Sequence, residues 1–255
     1  MRCSELCARL DEQLDTAAYS DADASANGLQ VGPAASDVDH VAFAVDAAVE
    51  TIERAAGAGA DLLVTHHGLS WGGIDRVTGT HYRRIAPLVE ADLALYVSHL
   101  PLDGHQEFGN AAGVADVLGL RERVPFGELG GEHVGQRGRR ADPCTVEELR
   151  ETLASTLDTG PGEVRTLEFG SQTVRDVAVV TGSGADWLDE ALDVGADAFV
   201  TGEGKQKLYH EAREAGTNVV LAGHYATETF GVRSLADLLA GWGLETTYID
   251  HPTGL

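Results

Sequence analysis

Apolar positions along this chain switch between two periods, and the switching predicts its elements. Leu6, Leu10 and Leu14 recur at helical spacing behind Ser4, which reads as the N-cap of a short amphipathic helix over residues 4–14. Asn27-Gly28 then marks a turn ahead of the short apolar segment in NGLQVG, residues 27–32. From residue 38 onward β-rich runs alternate with helical ones: VAFAV, a helix, LLVT, a helix over about 81–91, and LALYV. That order is the mark of βαβ units, whose crossover helices join parallel strands, so an α/β fold with mostly parallel sheets is expected. Residues 121–145 interrupt the pattern with Gly, Arg and Glu, in RVPFGELGG and RGRRADP, and read as a linker that includes part of a hairpin.

The alternating text is also written twice. Residues 174–204 lie over residues 38–68 without a gap and agree at ten of 31 positions, among them the turn Gly59-Ala60-Asp61 over Gly195-Ala196-Asp197. Beyond a gap, residues 91–103 fall on 216–228, placing His99 over His224 and Asp103 over Glu228. Any two βαβ units share apolar strands and a GA turn, but a matched H-x-x-x-D and H-x-x-x-E at strand ends does not follow from that. Two similar α/β lobes are expected: a first over residues 1–125, a second over 126–221, and a tail 222–255 packing back on the first, with the division between about 125 and 170.

Composition narrows the partners. The 255 residues suit one large domain or two modest ones, at roughly 150 residues each. They carry 18 basic against 41 acidic side chains, a formal charge of -23, and the only lysines are Lys205 and Lys207. A surface this acidic repels phosphate backbones and anionic lipid, which argues against direct DNA or RNA binding and against a membrane-surface role. The acidic residues are spread along the chain rather than gathered in a tail, and 43% of residues are hydrophobic, so the charge belongs to a folded surface adapted to strong screening, as in the cytoplasm of a halophile. Cys3, Cys7 and Cys144 form no CxxC pair, and an odd count suits a reducing compartment; Cys3 and Cys7, one helical turn apart, read as a buried pair. MRCSELCARLDEQL meets charge before any apolar run forms, and no stretch approaches 18 apolar residues, so a cytoplasmic protein is expected.

Three predicted strand ends carry groups capable of chemistry. His66 and His67 follow LLVT directly, at the carboxyl end of a strand, where open α/β sheets place their ligands. SHLPLDGHQEFGN supplies His99 and Asp103 in what Pro101 and Gly104 mark as a loop; His105 and Glu107 beside them read as solvated. AGHYATETFG ends a strand with His224 and opens a helix carrying Glu228, an i, i+4 pair that serves either a metal or the helix dipole. One ion cannot use all of these, whereas two ions sharing a bridging carboxylate can; the nitrogen and oxygen donors suit Zn, Fe, Mn or Co. GEGKQK at 202–207 lacks the first Gly and the Ser or Thr of a phosphate loop, so Lys205 reads as a solvated helix start ahead of a phosphate contact.

NGLQVG, VTHHGLSW, SHLPLDGHQEFGN and AGHYATET, in this order and over about residues 4–250, resemble the Nif-three-like dinuclear metal-centre proteins, the GTP cyclohydrolase I type 2 homologues, in their short form without an inserted domain. The resemblance implies two α/β lobes with a metal site in the cleft between them, and a ring-shaped homohexamer. It implies two divalent ions per subunit held by His66, His67, Asp103, His224 and Glu228, with His99 as a catalytic neighbour that orients a ligand or passes a proton. It further implies a metal-dependent hydrolase acting on a nucleotide or similar small molecule, opening a purine imidazole ring with a metal-bound hydroxide. The alternative it leaves is a non-catalytic regulatory or scaffolding ring, or one that delivers metal. Because His66 and His67 lie over Gly202 and Glu203, the second half lacks such a pair, and one composite site is expected rather than two.

The charge itself generates a test. At molar salt the Debye length shrinks to about 3 Å, which removes most self-repulsion among surface carboxylates. The midpoint of thermal unfolding is expected to climb steadily through a KCl series followed by circular dichroism; a protein that stays folded and active in dilute buffer without added salt contradicts the halophilic reading.

Overall fold

The computed structural model describes residues 1–255. In chain order the first stretch makes α1 (Cys3–Gln13), β1 (Gly28–Val31), β2 (His40–Asp46), α2 (Val49–Gly57), β3 (Leu62–His67), α3 (Gly79–Glu90), β4 (Ala94–Val97) and α4 (Leu100–Gly104). The middle makes α5 (Asn110–Val117), β5 (Leu120–Leu129), β6 (Glu132–Cys144), α6 (Val146–Thr156), β7 (Arg165–Glu168) and β8 (Val174–Val180). It continues with α7 (Leu188–Asp193), β9 (Ala198–Thr201), α8 (Gln206–Ala215), β10 (Asn218–Leu221) and α9 (His224–Thr227), and the chain closes with α10 (Thr229–Gly241) and β11 (Glu245–Tyr248). These elements form two compact units, Met1–Leu102 with Gly231–His251, and Asp103–Phe230 with Pro252–Leu255.

The first unit holds a five-stranded sheet in the order β1-β4-β3-β2-β11, parallel except for β1 at the edge. Its central strands are buried almost residue for residue, which is why VAFAV, LLVT and ALYV read as unbroken apolar runs. Ile52 of α2 and Leu88 of α3 pack with Ala42, Leu63 and Leu95 from the sheet. Helix α1 buries Cys3, Leu6, Cys7 and Leu10 on one face. Its cap falls two residues earlier than the sequence suggests, at Arg2 rather than Ser4. The reason is that the first helical N–H groups find carbonyl partners outside the helix: Cys3 N–H donates to Ser36 and Ser4 N–H to Ala34, both at 2.9 Å, so no capping side chain is needed.

The second unit holds six strands in the order β5-β6-β8-β9-β10-β7. A parallel core, β8-β9-β10, is flanked by antiparallel β6 on one side and β7 on the other. The expected linker over 121–145 is instead the hairpin β5–β6, with Leu129 paired to Glu132 across a two-residue turn. Gly130 and Gly131 both have positive φ, 65° and 93°, the conformation that a tight hairpin turn demands of its two central residues. The polar composition that resembled a linker belongs to an edge strand: Arg121, Glu122, Val124 and Pro125 face solvent on β5. Residues 103–125 also join this unit, not the first as the repeat suggested, because Ala111, Val114, Ala115 and Leu118 share a core with Val177, Val200 and Val220.

The repeat is a structural one down to single atoms. In the first copy Asp61 Oδ2 accepts the N–H groups of Asp39 and His40 at 2.9 and 3.0 Å. In the second, Asp197 Oδ2 accepts those of Arg175 and Asp176, both at 2.9 Å. Each aspartate of the GAD turn thus ties the start of one strand to the start of the next. Replacing either by alanine leaves two backbone N–H groups without their acceptor, at about 1–3 kcal/mol. Urea unfolding of Asp61→Ala and Asp197→Ala is expected to show comparable losses in that range; a loss at only one position would break the equivalence of the copies.

Candidate metal centre

In the first unit the strand β3 runs through both histidines, and at its end the His66 and His67 rings lie together, centroids 4.6 Å apart, rather than diverging from a turn. His66 is fully buried and its Nδ1–H donates to the Ser98 carbonyl at 3.0 Å. A backbone carbonyl can only accept, so the proton sits on Nδ1 and Nε2 carries the lone pair. His67 Nδ1 lies 2.9 Å from Asp46 Oδ1, and His99 Nδ1 lies 2.9 Å from Asp23 Oδ1. The strand register produces the Asp46 contact directly, since Asp46 at the end of β2 is the pairing partner of His67 on β3. The three rings stand with centroids 4.6 to 5.7 Å apart, and each offers a nitrogen within 4.8 Å of the others.

Asp23 organises the approach to His99. It accepts Ser25 N–H at 2.8 Å and Leu100 N–H at 3.0 Å in addition to the His99 ring, while Asn27 Oδ1 accepts His99 N–H at 2.8 Å. Burial pushes the Asp23 carboxyl up, but the His99 imidazole and the Asn27 and Ser25 donors outweigh it and hold the group down at about 2. The Leu100 contact also starts α4, where the sequence predicted a loop. Pro101 falls in the first turn, in which its missing N–H leaves no bond unmade, so it does not prevent the helix.

In the second unit Asp103 and Glu228 are both buried, 8% and 3% exposed, with ligand oxygens within 4.8 Å of each other. Asp103 Oδ1 accepts Asn110 Nδ2 at 2.8 Å and Thr181 Oγ1 at 3.1 Å. His224 Nε2 lies 3.3 Å from Glu228 Oε2, and its Nδ1 lies 3.2 Å from Glu203 Oε1. Glu228 does not ride a continuous helix as its spacing suggests; α9 stops at Thr227 and α10 begins at Thr229, with Glu228 in the break between them.

The repeat explains what the second copy did with its histidine positions. Gly182 and Gly202 occupy the places of Asp46 and His66. A Cβ on Gly182 would collide with Glu228 Oε1, and one on Gly202 would come 2.7 Å from the His224 Cα. Side chains there are excluded by Glu228 and His224, which the second copy does carry. Glu203, in the place of His67, fixes His224 in the way that Asp46 fixes His67.

Of the residues singled out by sequence, His66, His67 and His99 gather in one unit and Asp103, His224 and Glu228 in the other. His105 turns inward on its own chain, accepting Glu107 and Phe108 N–H groups and stacking on Phe108, and Glu107 is exposed. Lys205 and Lys207 both pair with Asp186. All three cysteines are buried, Cys3 and Cys7 with their sulfurs 3.9 Å apart, and burial pushes each thiol up. Sequence reasoning missed Asp23, Asp46 and Glu203. Asp46 and Glu203 were findable as carboxylates at strand ends, and Asp23 lies in the aperiodic stretch DADASANG with nothing to mark it.

The donor set fits divalent cations. In the first unit His66, His67 and His99 each have Nδ1 held by a carboxylate or carbonyl, the arrangement that orients a metal-ligating histidine, and in the second His224 stands with the buried carboxylate of Glu228, near that of Asp103. Comparison with known proteins shows which family the chain resembles. The family model Duf34/NIF3 (NGG1p interacting factor 3) matches residues 1–253. A "GTP cyclohydrolase 1 type 2 homolog" of Halobacterium salinarum is 58% identical over all of both chains. A solved structure of the protein ybgI, of unknown function, is 34% identical with a TM-score of 0.91, and one from Thermus thermophilus is 38% identical with a TM-score of 0.89; both cover all of both chains.

Without an ion, His224 has an unusual titration. Burial lowers its basicity, but Glu228 and Glu203 on either side outweigh that and raise its pKa to about 9. A raised folded-state value stabilises fully below the ordinary 6.5 and is lost as pH climbs through about 9. In EDTA, the stability gap between wild type and His224→Gln is expected to be widest near pH 6 and to close above pH 9. Chemical denaturation across that range measures it, and a gap independent of pH contradicts the ion-pair assignment.

Proposed function

The chain belongs to the Duf34/NIF3 family, and from that premise we propose that it is a metal-dependent hydrolase acting on a nucleotide or similar small molecule. In this reading His66, His67, Asp103, His224 and Glu228 together hold two divalent ions, of the Zn, Fe, Mn or Co class. The observation that supports the reading is that Nδ1 of each strand-end histidine is held by a carbonyl or carboxylate, the arrangement that orients an imidazole for a cation. The ions, when bound, supply Lewis acidity and bring the pKa of water towards neutrality, which is what opening a purine imidazole ring by hydrolysis requires.

The protein's own groups do the remaining work. Asp46, Glu203 and the Ser98 carbonyl hold the ligand rings in one tautomer and one orientation. Asn110 and Thr181 both donate to Oδ1 of Asp103 and so fix the orientation of the carboxylate that this reading gives to the ions. His99 is the proton carrier: Asp23 holds its Nδ1 at 2.9 Å and so returns the ring to the same position after each transfer. Buried carboxylates beside cations also relieve the main objection to an anionic substrate on so acidic a chain, because the charge at the site is set by the ions. A ring-shaped homohexamer and a cytoplasmic location belong to the same reading, the first supported by the motif resemblance and the second by three free, buried cysteines. No helix is long and apolar enough to cross a membrane.

Two experiments test this. Metal analysis of the purified chain is expected to give two ions, with Asp46→Ala weakening metal affinity about 10- to 100-fold although it touches no ion. GTP and other nucleotides are expected to turn over with the loaded protein and not with His66→Ala or Glu228→Ala. Fully loaded protein that turns over no nucleotide contradicts the enzyme reading, and fewer than one ion per chain contradicts the site.

A further inference from the structure

Trp71 is placed beside the histidine cluster in a way that packing does not require. It is 48% exposed, in the loop that follows β3, yet its ring centroid is 4.9 Å from His99 and 6.0 Å from His67. The His99 contact is edge-on, with the planes 85° apart. In such a T either the indole presents its edge, and both faces stay clear of His99, or it gives up one face and keeps the other.

The loop carrying this ring is braced from one segment. Ser25 and Trp71 form an isolated antiparallel bridge, with Gly72 N–H donating to the Ala24 carbonyl at 2.8 Å and Ala26 N–H to Ser70 at 3.3 Å. Gln30 completes the brace: its Oε1 accepts Leu69 N–H at 2.8 Å and its Nε2 donates to the Ala26 carbonyl at 2.7 Å. Asp23 and Asn27 of the same segment hold His99. The indole and the His99 imidazole are therefore positioned by a single stretch, residues 23–30, which gives NGLQVG a purpose that neither the core nor the ion ligands explain. A half-exposed aromatic ring on a braced loop, next to the histidine cluster, is what a planar ring needs for stacking, and every nucleobase offers a π-face to it.

We propose that Trp71 is the stacking platform of the substrate pocket, so that the substrate presents a planar heteroaromatic ring to the indole. The inference deepens the hydrolase reading and rests on it for the identity of the neighbouring site; binding and turnover are measured separately so that the two fail independently.

The test is guanosine binding to the metal-loaded chain, followed by quenching of indole emission and by calorimetry, for wild type, Trp71→Phe and Trp71→Leu. Leucine keeps apolar volume and removes the aromatic face. Trp71→Leu is expected to bind guanosine about 5- to 100-fold more weakly, Trp71→Phe nearly as well as wild type, and ribose 5-phosphate, which has no ring to stack, equally with all three. Where turnover is measurable, the loss in Trp71→Leu appears in KM far more than in kcat. Oxidation of wild-type tryptophans by N-bromosuccinimide, mapped by mass spectrometry, needs no variant: Trp71 is expected to react and to be protected by guanosine. Equal guanosine affinity in Trp71→Leu, absence of guanosine binding to loaded wild type, or a Trp71 that guanosine does not protect overturns the proposal. Trp71-dependent guanosine binding without turnover sustains the platform while removing the hydrolase.

Discussion

A neutral imidazole has one donor nitrogen and one acceptor nitrogen, and fixing the first decides where the second points. That constraint governs the strand ends of this protein. His66 gives its Nδ1 proton to a carbonyl, and His67, His99 and His224 set Nδ1 against carboxylates. The parallel sheet makes the arrangement inexpensive, because neighbouring strands end together. Asp46 faces His67 by register alone, and Ser98 follows β4, whose Val97 is paired with Thr65 immediately before His66. For His66 and His67 the sheet thus supplies the outer partners directly, whereas His99 takes Asp23 and His224 takes Glu203 from loop segments.

The two halves then show how one βαβ plan was put to two uses. Both keep the GAD turn and its aspartate, which joins strand to strand and cannot be altered without loosening the sheet. They differ at the strand ends, where the first copy carries Asp46 and His66 and the second carries glycines. Those glycines follow from close approach: Glu228 and His224 occupy the volume that side chains would fill. Glu203, in the place of His67, keeps a polar role by standing against Nδ1 of His224.

Much of this was legible in the sequence, and the limits have physical causes. Parallel strands buried on both faces leave continuous apolar runs, so β2, β3 and β4 could be read directly, and the repeat carried the reading into β8, β9 and β10. The hairpin β5–β6 hid behind an edge strand's polar composition, although Gly130-Gly131 was a fair hairpin signal. The helix at Leu100 depends on Asp23 from far away in the chain, which no local rule sees. His66, His67, Asp103, His224 and Glu228 stood out because strand-end histidines and carboxylates are costly to place without a purpose. Asp23 and Asn27 carried no periodic or spacing signal, since their function is to accept hydrogen bonds from residues some seventy positions later.

The chain's charge of -23 divides accordingly. Most carboxylates face solvent, where salt screens them, but Asp23, Asp46, Glu203 and Glu228 each stand against a histidine, and Asp103 is buried against Asn110 and Thr181. The claim that the imidazoles are oriented for cations through Nε2 is tested most directly by anomalous diffraction from crystals of the metal-loaded protein, collected on both sides of the metal's absorption edge. The account predicts two anomalous peaks, bonded to Nε2 of the ligating histidines and to carboxylate oxygens of Asp103 and Glu228. A single peak, a metal bonded through Nδ1, or no peak near these residues would contradict it.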